Sequence, residues 1–202
     1  DNVGEMMVAG GTITLVANTW IADGSGLDSF DIDHSGGYMT LIRDGSRSLF
    51  VDSVVAAGDE LTLLFAATTA TGAVTYESVS TGTLTLNAVS TAGNNVTISH
   101  AGNITATSVT TTTGSQTIST TGGTVALVDL NSTSGAIAIT ASGNITVTNT
   151  GGITASGSAN ISINSSAGRI RSNATDDNAA EIITAGGTIT PDANTGIAYR
   201  LV

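Results

Sequence analysis

Apolar and polar residues alternate along most of this 202-residue chain. The segments GTLTLNAV (82–89), NNVTISH (94–100), GNITATSV (102–109), GAIAITAS (135–142) and GNITVTNT (143–150) place Ile, Val or Leu at every second position, with Thr, Ser or Asn between them. A period of two assigns the aliphatic residues to one face of a β-strand and the hydroxyls to the other. No segment sustains a helical period. Each strand is short and follows a glycine, which is expected to supply a positive-φ corner.

A longer period lies over the short one. Gly82, Gly102, Gly123 and Gly143 precede the pairs Leu84 and Leu86, Ile104 and Ala106, Val125 and Leu127, and Ile145 and Val147, in nearly equal steps. A second column, Gly72, Gly93, Gly114 and Gly135, recurs at every twenty-first position and precedes Val74, Val96, Ile118 and Ile137. Weaker continuations are read upstream at Met39 and Leu41 and at Leu61 and Leu63. Short strands recurring roughly every 20–21 residues define a solenoid, in which no coil buries its own apolar face and stacking turns each column into a ladder. The expected fold is all-β, a parallel β-helix, with residues 1–202 as one segment and nine or ten coils making a rod on the order of 45 Å long. The rival all-β arrangement is a tandem pair of immunoglobulin-like sandwiches, which predicts no such recurrence and would favour a repeated buried Trp. Trp20 is the single Trp.

A larger repeat encloses the coils. Residues 1–22, DNVGEMMVAGGTITLVANTWIA, align without gaps to 177–198, DNAAEIITAGGTITPDANTGIA, with 14 of 22 positions identical. The chain therefore reads as one long module, 1–176, followed by the start of the next, 177–202. The opening DNVGEMMV, without an initiating Met, is expected to lie inside a longer parent chain.

The motifs GNIT, GGIT and AGGTIT, set in Thr-, Ser- and Asn-rich coils, resemble the β-helical repeats of filamentous-haemagglutinin-like giant bacterial adhesins and exoproteins. The resemblance runs through most of residues 9–198 and is clearest at 82–170. It implies a right-handed parallel β-helix at the bacterial cell surface or in the extracellular medium, acting as a stalk or adhesive shaft in cell adhesion and biofilm. The secretion-domain motifs of such proteins are not among these residues.

Composition narrows the chemistry. Sixteen acids against five Arg leave a net charge of −11, which disfavours nucleic acid and anionic lipid as partners. The longest apolar runs, near 49–57 and 61–67, are too short for membrane insertion. With no Cys there is no disulfide framework or thiolate site. Polysaccharide-degrading β-helices group Asp with Lys or Arg in a groove. Here the only ionisable residues from 78 to 168 are His100 and Asp129, so the chain is read as a non-enzyme that needs no cofactor. His34 and His100 are read as ordinary solvated or capped imidazoles.

Three ligand readings accompany the structural one. Residues 23–37, DGSGLDSFDIDHSGG, are expected to form an irregular acidic loop. Its Asp23, Asp28, Asp31 and Asp33 make a candidate calcium site of hard oxygens, with one calcium-roll register at Gly24, Gly26, Asp28 and Phe30; a calcium-stabilised carbohydrate-binding or polysaccharide-degrading module is the corresponding alternative function. Thr-x-Thr pairs such as Thr105 and Thr107 suggest an ice-binding face, but the row Thr85, Thr105, Ala126 and Thr146 is single, and Thr is the default outward β-residue. Seven Asn-x-Ser/Thr sequons, at Asn95, Asn103, Asn131, Asn144, Asn160, Asn164 and Asn173, are read as turn and strand chemistry. The expected partners are neighbouring repeats of the same protein, through end-to-end or lateral self-association, together with host or matrix glycans.

Overall fold

The structure is a computed structural model that describes the strand backbone at 6–8, 12–17, 29–34, 37–43, 49–53 and 63–69, and residues 73–78, 81–173 and 181–198. All described secondary structure is β, and every strand pair is parallel. One nine-stranded sheet runs through β1 (Met6–Val8), β3 (Ser29–His34), β5 (Leu49–Ser53), β7 (Val74–Ser78), β9 (Val96–His100), β12 (Gln116–Thr120), β14 (Ile137–Ala141), β16 (Ile161–Ser165) and β19 (Ile189–Ala193). The second runs through β2 (Thr12–Ala17), β4 (Gly37–Arg43), β6 (Leu63–Thr69), β8 (Thr83–Thr91), β10 (Asn103–Ala106), β13 (Val125–Ser132), β15 (Ile145–Ala155), β17 (Ile170–Ser172) and β20 (Ile197–Ala198). Two short strands complete it: β11 (Val109–Thr111) pairs with β8 and β13, and β18 (Ile182–Thr184) pairs with β15. The chain alternates between the two sheets and advances one strand each time. That is a β-solenoid, not a pair of sandwiches.

The aliphatic columns stack in register. Leu84 pairs with Ile104, Ile104 with Val125, Val125 with Ile145, and Ile145 with Ile170; all five are at most 1% exposed. Leu86, Ala106, Leu127 and Val147 form the adjacent ladder, and Val89, Val109, Leu130, Ile153 and Ile182 a third beyond the bend of the second sheet. The core-facing residues of the first sheet send their N–H to the following turn: Val74 to Asn95 O, Val96 to Ser115 O, Gln116 to Ala136 O, Ile137 to Asn160 O and Ile161 to Thr188 O. Pro191, the single Pro, stands in the same sheet beyond Ile163. Its missing N–H therefore faces outward from the last strand, where Pro is tolerated.

The structure departs from the sequence reading at several points. The second column contains Gln116, not Ile118: Gln116 pairs with Val96 and Ile137, while Ile118 pairs with Ile98 and Ile139 two positions on. Upstream, Met39 pairs with Phe65 and Leu63 with Gly37, so those turns are longer than the pattern suggested. The regular spacing holds from Leu84 to Ile145. The next two turns, Ile145 to Ile170 and Ile170 to Ile197, are each several positions longer. Within the span assigned to an acidic loop, Ser29–His34 is strand β3, because Phe30, Asp31, Ile32 and Asp33 alternate as a strand requires.

The periodic glycines do not turn corners by positive φ. Among the described glycines only Gly152, Gly157 and Gly196 have one. At Gly114, Gly123 and Gly135 the closeness of stacked turns requires glycine: a Cβ on Gly114 would overlap the Asn94 carbonyl, one on Gly135 the Gly114 carbonyl, and one on Gly123 the Gly102 carbonyl. Four corners are tied by a hydroxyl three positions before the glycine. The N–H of Gly123 donates to Thr120 Oγ1 (3.1 Å), Gly135 to Ser132 Oγ (2.9 Å), Gly168 to Ser165 Oγ (3.1 Å) and Gly187 to Thr184 Oγ1 (3.1 Å). The same hydroxyls donate to carbonyls of the turn before, at Gly102, Gly114, Gly143 and Ala159 respectively. A hydroxyl is both donor and acceptor, so one side chain closes its own corner and fastens it to its neighbour.

Candidate functional site

Four places could carry chemistry: the acidic strand, the outer faces of the sheets, the polar residues inside the core, and a cleft beside β17.

Of the candidate calcium ligands, Asp23 and Asp28 lie outside the described residues. Asp31 and Asp33 belong to β3, and Asp31 pairs in register with Asp52, which pairs with Glu77. Three acids thus share one register position in successive turns. Among the described residues no three His, Cys, Asp or Glu are grouped to hold a metal ion.

The outer face of the first sheet carries two neighbouring hydroxyl rows that the sequence analysis, following the second sheet, did not find. Thr75, Thr97, Thr117, Ala138, Ser162 and Thr190 form one, and Ser99, Ser119, Thr140 and Asn164 the other, bracketed by Glu77 and Asp192. The β7–β19 pairings of this sheet show no register shift, whereas the second sheet shifts at Phe65/Ala66 and at Leu127/Asp129.

Four sequon asparagines have a structural task. The Oδ1 of Asn95, Asn103, Asn144 and Asn160 accepts the backbone N–H of Ser115, Thr124, Arg169 and Thr188, each in the following turn, at 2.8–2.9 Å. Asn131 Nδ2 donates to Asp129 Oδ1, and Asn164 Nδ2 to Asp192 Oδ2 at 3.3 Å.

Gln116 and His100 are two of the eight polar side chains buried among the described residues. Gln116, fully buried, donates from Nε2 towards Asn131 O (2.6 Å), Val109 O (3.2 Å) and Thr111 Oγ1 (3.3 Å), while its Oε1 has no partner. His100 is 1% exposed, so of its two readings, solvated or capped, the solvated one is overturned. It stands between Ser78 and Thr120 in its column, its Nε2 lies 3.1 Å from Gly82 O, and its Nδ1 is unpartnered. Burial holds the imidazole pKa below its ordinary value, against a smaller opposing effect of the Gly82 carbonyl. The unfolded chain therefore takes up a proton near pH 6.5 that the folded chain resists, so stability falls as pH drops below 6.5 and is unaffected by this group above it. Thermal melts should be flat from pH 8 to 7 and decline from pH 6.5 to 5; His100→Thr, copying the next turn's residue, should remove most of that decline, and His34→Gln should leave it.

Beside β17 a cleft of about 250 Å³ is lined by Arg169, Arg171, Thr195 and Ile197 among others. Arg171 is held by Nε donating to Thr146 Oγ1 at 3.3 Å, and Thr195 Oγ1 donates to Gly168 O at 2.9 Å. Among the described residues lining it there is no carboxylate or imidazole to pair with these guanidinium groups in proton transfer.

The arrangement defines a β-solenoid in which several Asn, Ser and Thr side chains hold successive turns together. Compared with family models, curated proteins and solved structures, the chain matches none.

Proposed function

We propose that the chain is a structural, non-catalytic shaft segment of a large bacterial cell-surface adhesin or secreted exoprotein, working in adhesion or fibre formation. The observation that carries this reading is the stack of buried aliphatic residues between Val74 and Ile182, in which backbone, corner hydroxyls and Asn side chains bond from turn to turn. Such a stack resists bending and offers open sheet edges at its ends, where further turns or other copies add. Sedimentation over a wide concentration range, with electron microscopy of the associated material, tests it. Rods that lengthen with concentration are expected; a compact monomer at every concentration overturns the reading.

The twin hydroxyl rows of the first sheet favour a second reading, attachment to a flat neutral lattice such as ice. Inhibition of ice recrystallisation by the chain, lost on Thr117→Tyr, would support it, and no inhibition would remove it.

A further inference from the structure

Residues 1–22 and 177–198 are close copies in sequence, and the structure gives both the same pair of strands in opposite sheets. At the offset that aligns them, β1 corresponds to β18 and β2 to β19. β18 and β19 pair with β15 and β16 through the edge that faces the preceding turn. β1 and β2 pair with β3 and β4 through the opposite edge, and each is the first strand of its sheet. The edge that the second copy uses for docking is therefore the edge at which no described strand pairs with the first copy.

The first copy also suits the same dock. Where the second copy has Ile182, Thr184, Ile189, Pro191 and Ala193 in the core-facing columns, the first has Met6, Val8, Ile13, Leu15 and Ala17, apolar at every place and more so at Val8 and Leu15. A Cβ at Gly187 would overlap the Ala159 carbonyl, and the residue aligned with it, Gly11, likewise carries no Cβ. The correspondence ends before Trp20, whose equivalent, Gly196, has φ +145°, a conformation closed to Trp.

We propose that the β1–β2 edge of one chain docks on β15 and β16 of a second copy in place of that copy's Glu181–Ala193, joining chains head to tail. β1 and β2 keep their pairing with β3 and β4, so only the second copy's tail is displaced. The first sheet of one chain then continues into the second sheet of the next. This is strand addition at a sheet edge between identical chains, a contact that does not close and so propagates. It rests on the self-associating shaft proposed above and names the surfaces that meet.

The 202 residues contain no cysteine, which permits a direct test in this chain. Ser162 pairs with Thr190, and Thr14 is the equivalent of Thr190. Under oxidation the double variant Thr14→Cys with Ser162→Cys should give a ladder of disulfide-linked chains, suppressed by excess peptide of residues 5–17 and absent from either single variant. Ser162→Cys with Thr190→Cys should close within one chain, which shows that the geometry permits the bond. If that control closes while the Thr14/Ser162 variant stays monomeric on a non-reducing gel, the exchange is overturned. Concentration-dependent sedimentation in that case would leave the shaft reading standing, with chains joined by some other contact.

Discussion

Gly135→Val should unseat two turns at once. The new Cβ would meet the Gly114 carbonyl and lie 2.7 Å from Ser115 N, and both belong to backbone already bonded into the stack, so neither can swing away. Overpacking of this kind costs about 3 kcal/mol at the upper end of the usual range, and the γ-methyls of Val add to it. At about 2–4 °C per kcal/mol for a chain of this size, the melting temperature should fall by roughly 10 °C. Gly186→Ala is the matched control, since its Cβ would find nothing nearer than Ser158 Oγ at 3.4 Å. If Gly135→Val melts like the parent, close approach is not why glycine recurs.

The second large effect is expected at Gln116. Gln116→Glu keeps the shape but replaces the donor that serves Asn131 O, Val109 O and Thr111 Oγ1 with a second acceptor in a dry core. An uncompensated buried charge costs about 3–5 kcal/mol. Burial must raise the folded-state pKa of the new carboxyl above its unfolded value, so the loss is complete at neutral pH and shrinks as pH falls through that raised value towards the unfolded one near about 4.3. Gln116→Met removes the donor without adding charge and should cost about 1–3 kcal/mol, with no such pH dependence. Denaturant unfolding at pH 7 and pH 5 separates the three proteins, and equal stability of Gln116→Glu and Gln116→Met at pH 7 would contradict the assigned hydrogen bonds.

These two positions also mark where the sequence was legible and where it was not. Leu84, Ile104, Val125 and Ile145 could be aligned from spacing alone because their apolar character repeats with a slippage of a single position. Gln116 could not, because a search for like residues passes over a polar side chain and selects Ile118, which is equally apolar and two places on. The period of the glycines was plain, yet its cause lies in a neighbour one full coil away along the chain, which a local rule about φ does not consider. The hydroxyl–glycine pairs at 120 and 123, 132 and 135, 165 and 168, and 184 and 187 were visible as letters. Their meaning needed the carbonyl of the turn before. The buried state of His100 had no local signal beyond its even placement after Val96 and Ile98. The hydroxyl rows escaped notice because the outward positions were followed on the sheet where Ala126 and the shift at Leu127/Asp129 interrupt them.

Pro191 gives the rod a preferred place to part. Load along the axis is carried from rung to rung by the N–H groups of core-facing residues, and any rung stacked beyond β19 receives one fewer of them than every described junction of that sheet before it. Under tension the interface above Pro191 should yield first, leaving the segment below it intact. A shaft joined by strand exchange closes that weak rung, because Leu15 of the incoming chain takes the place of Pro191, so only an unexchanged end would part like a perforated strip.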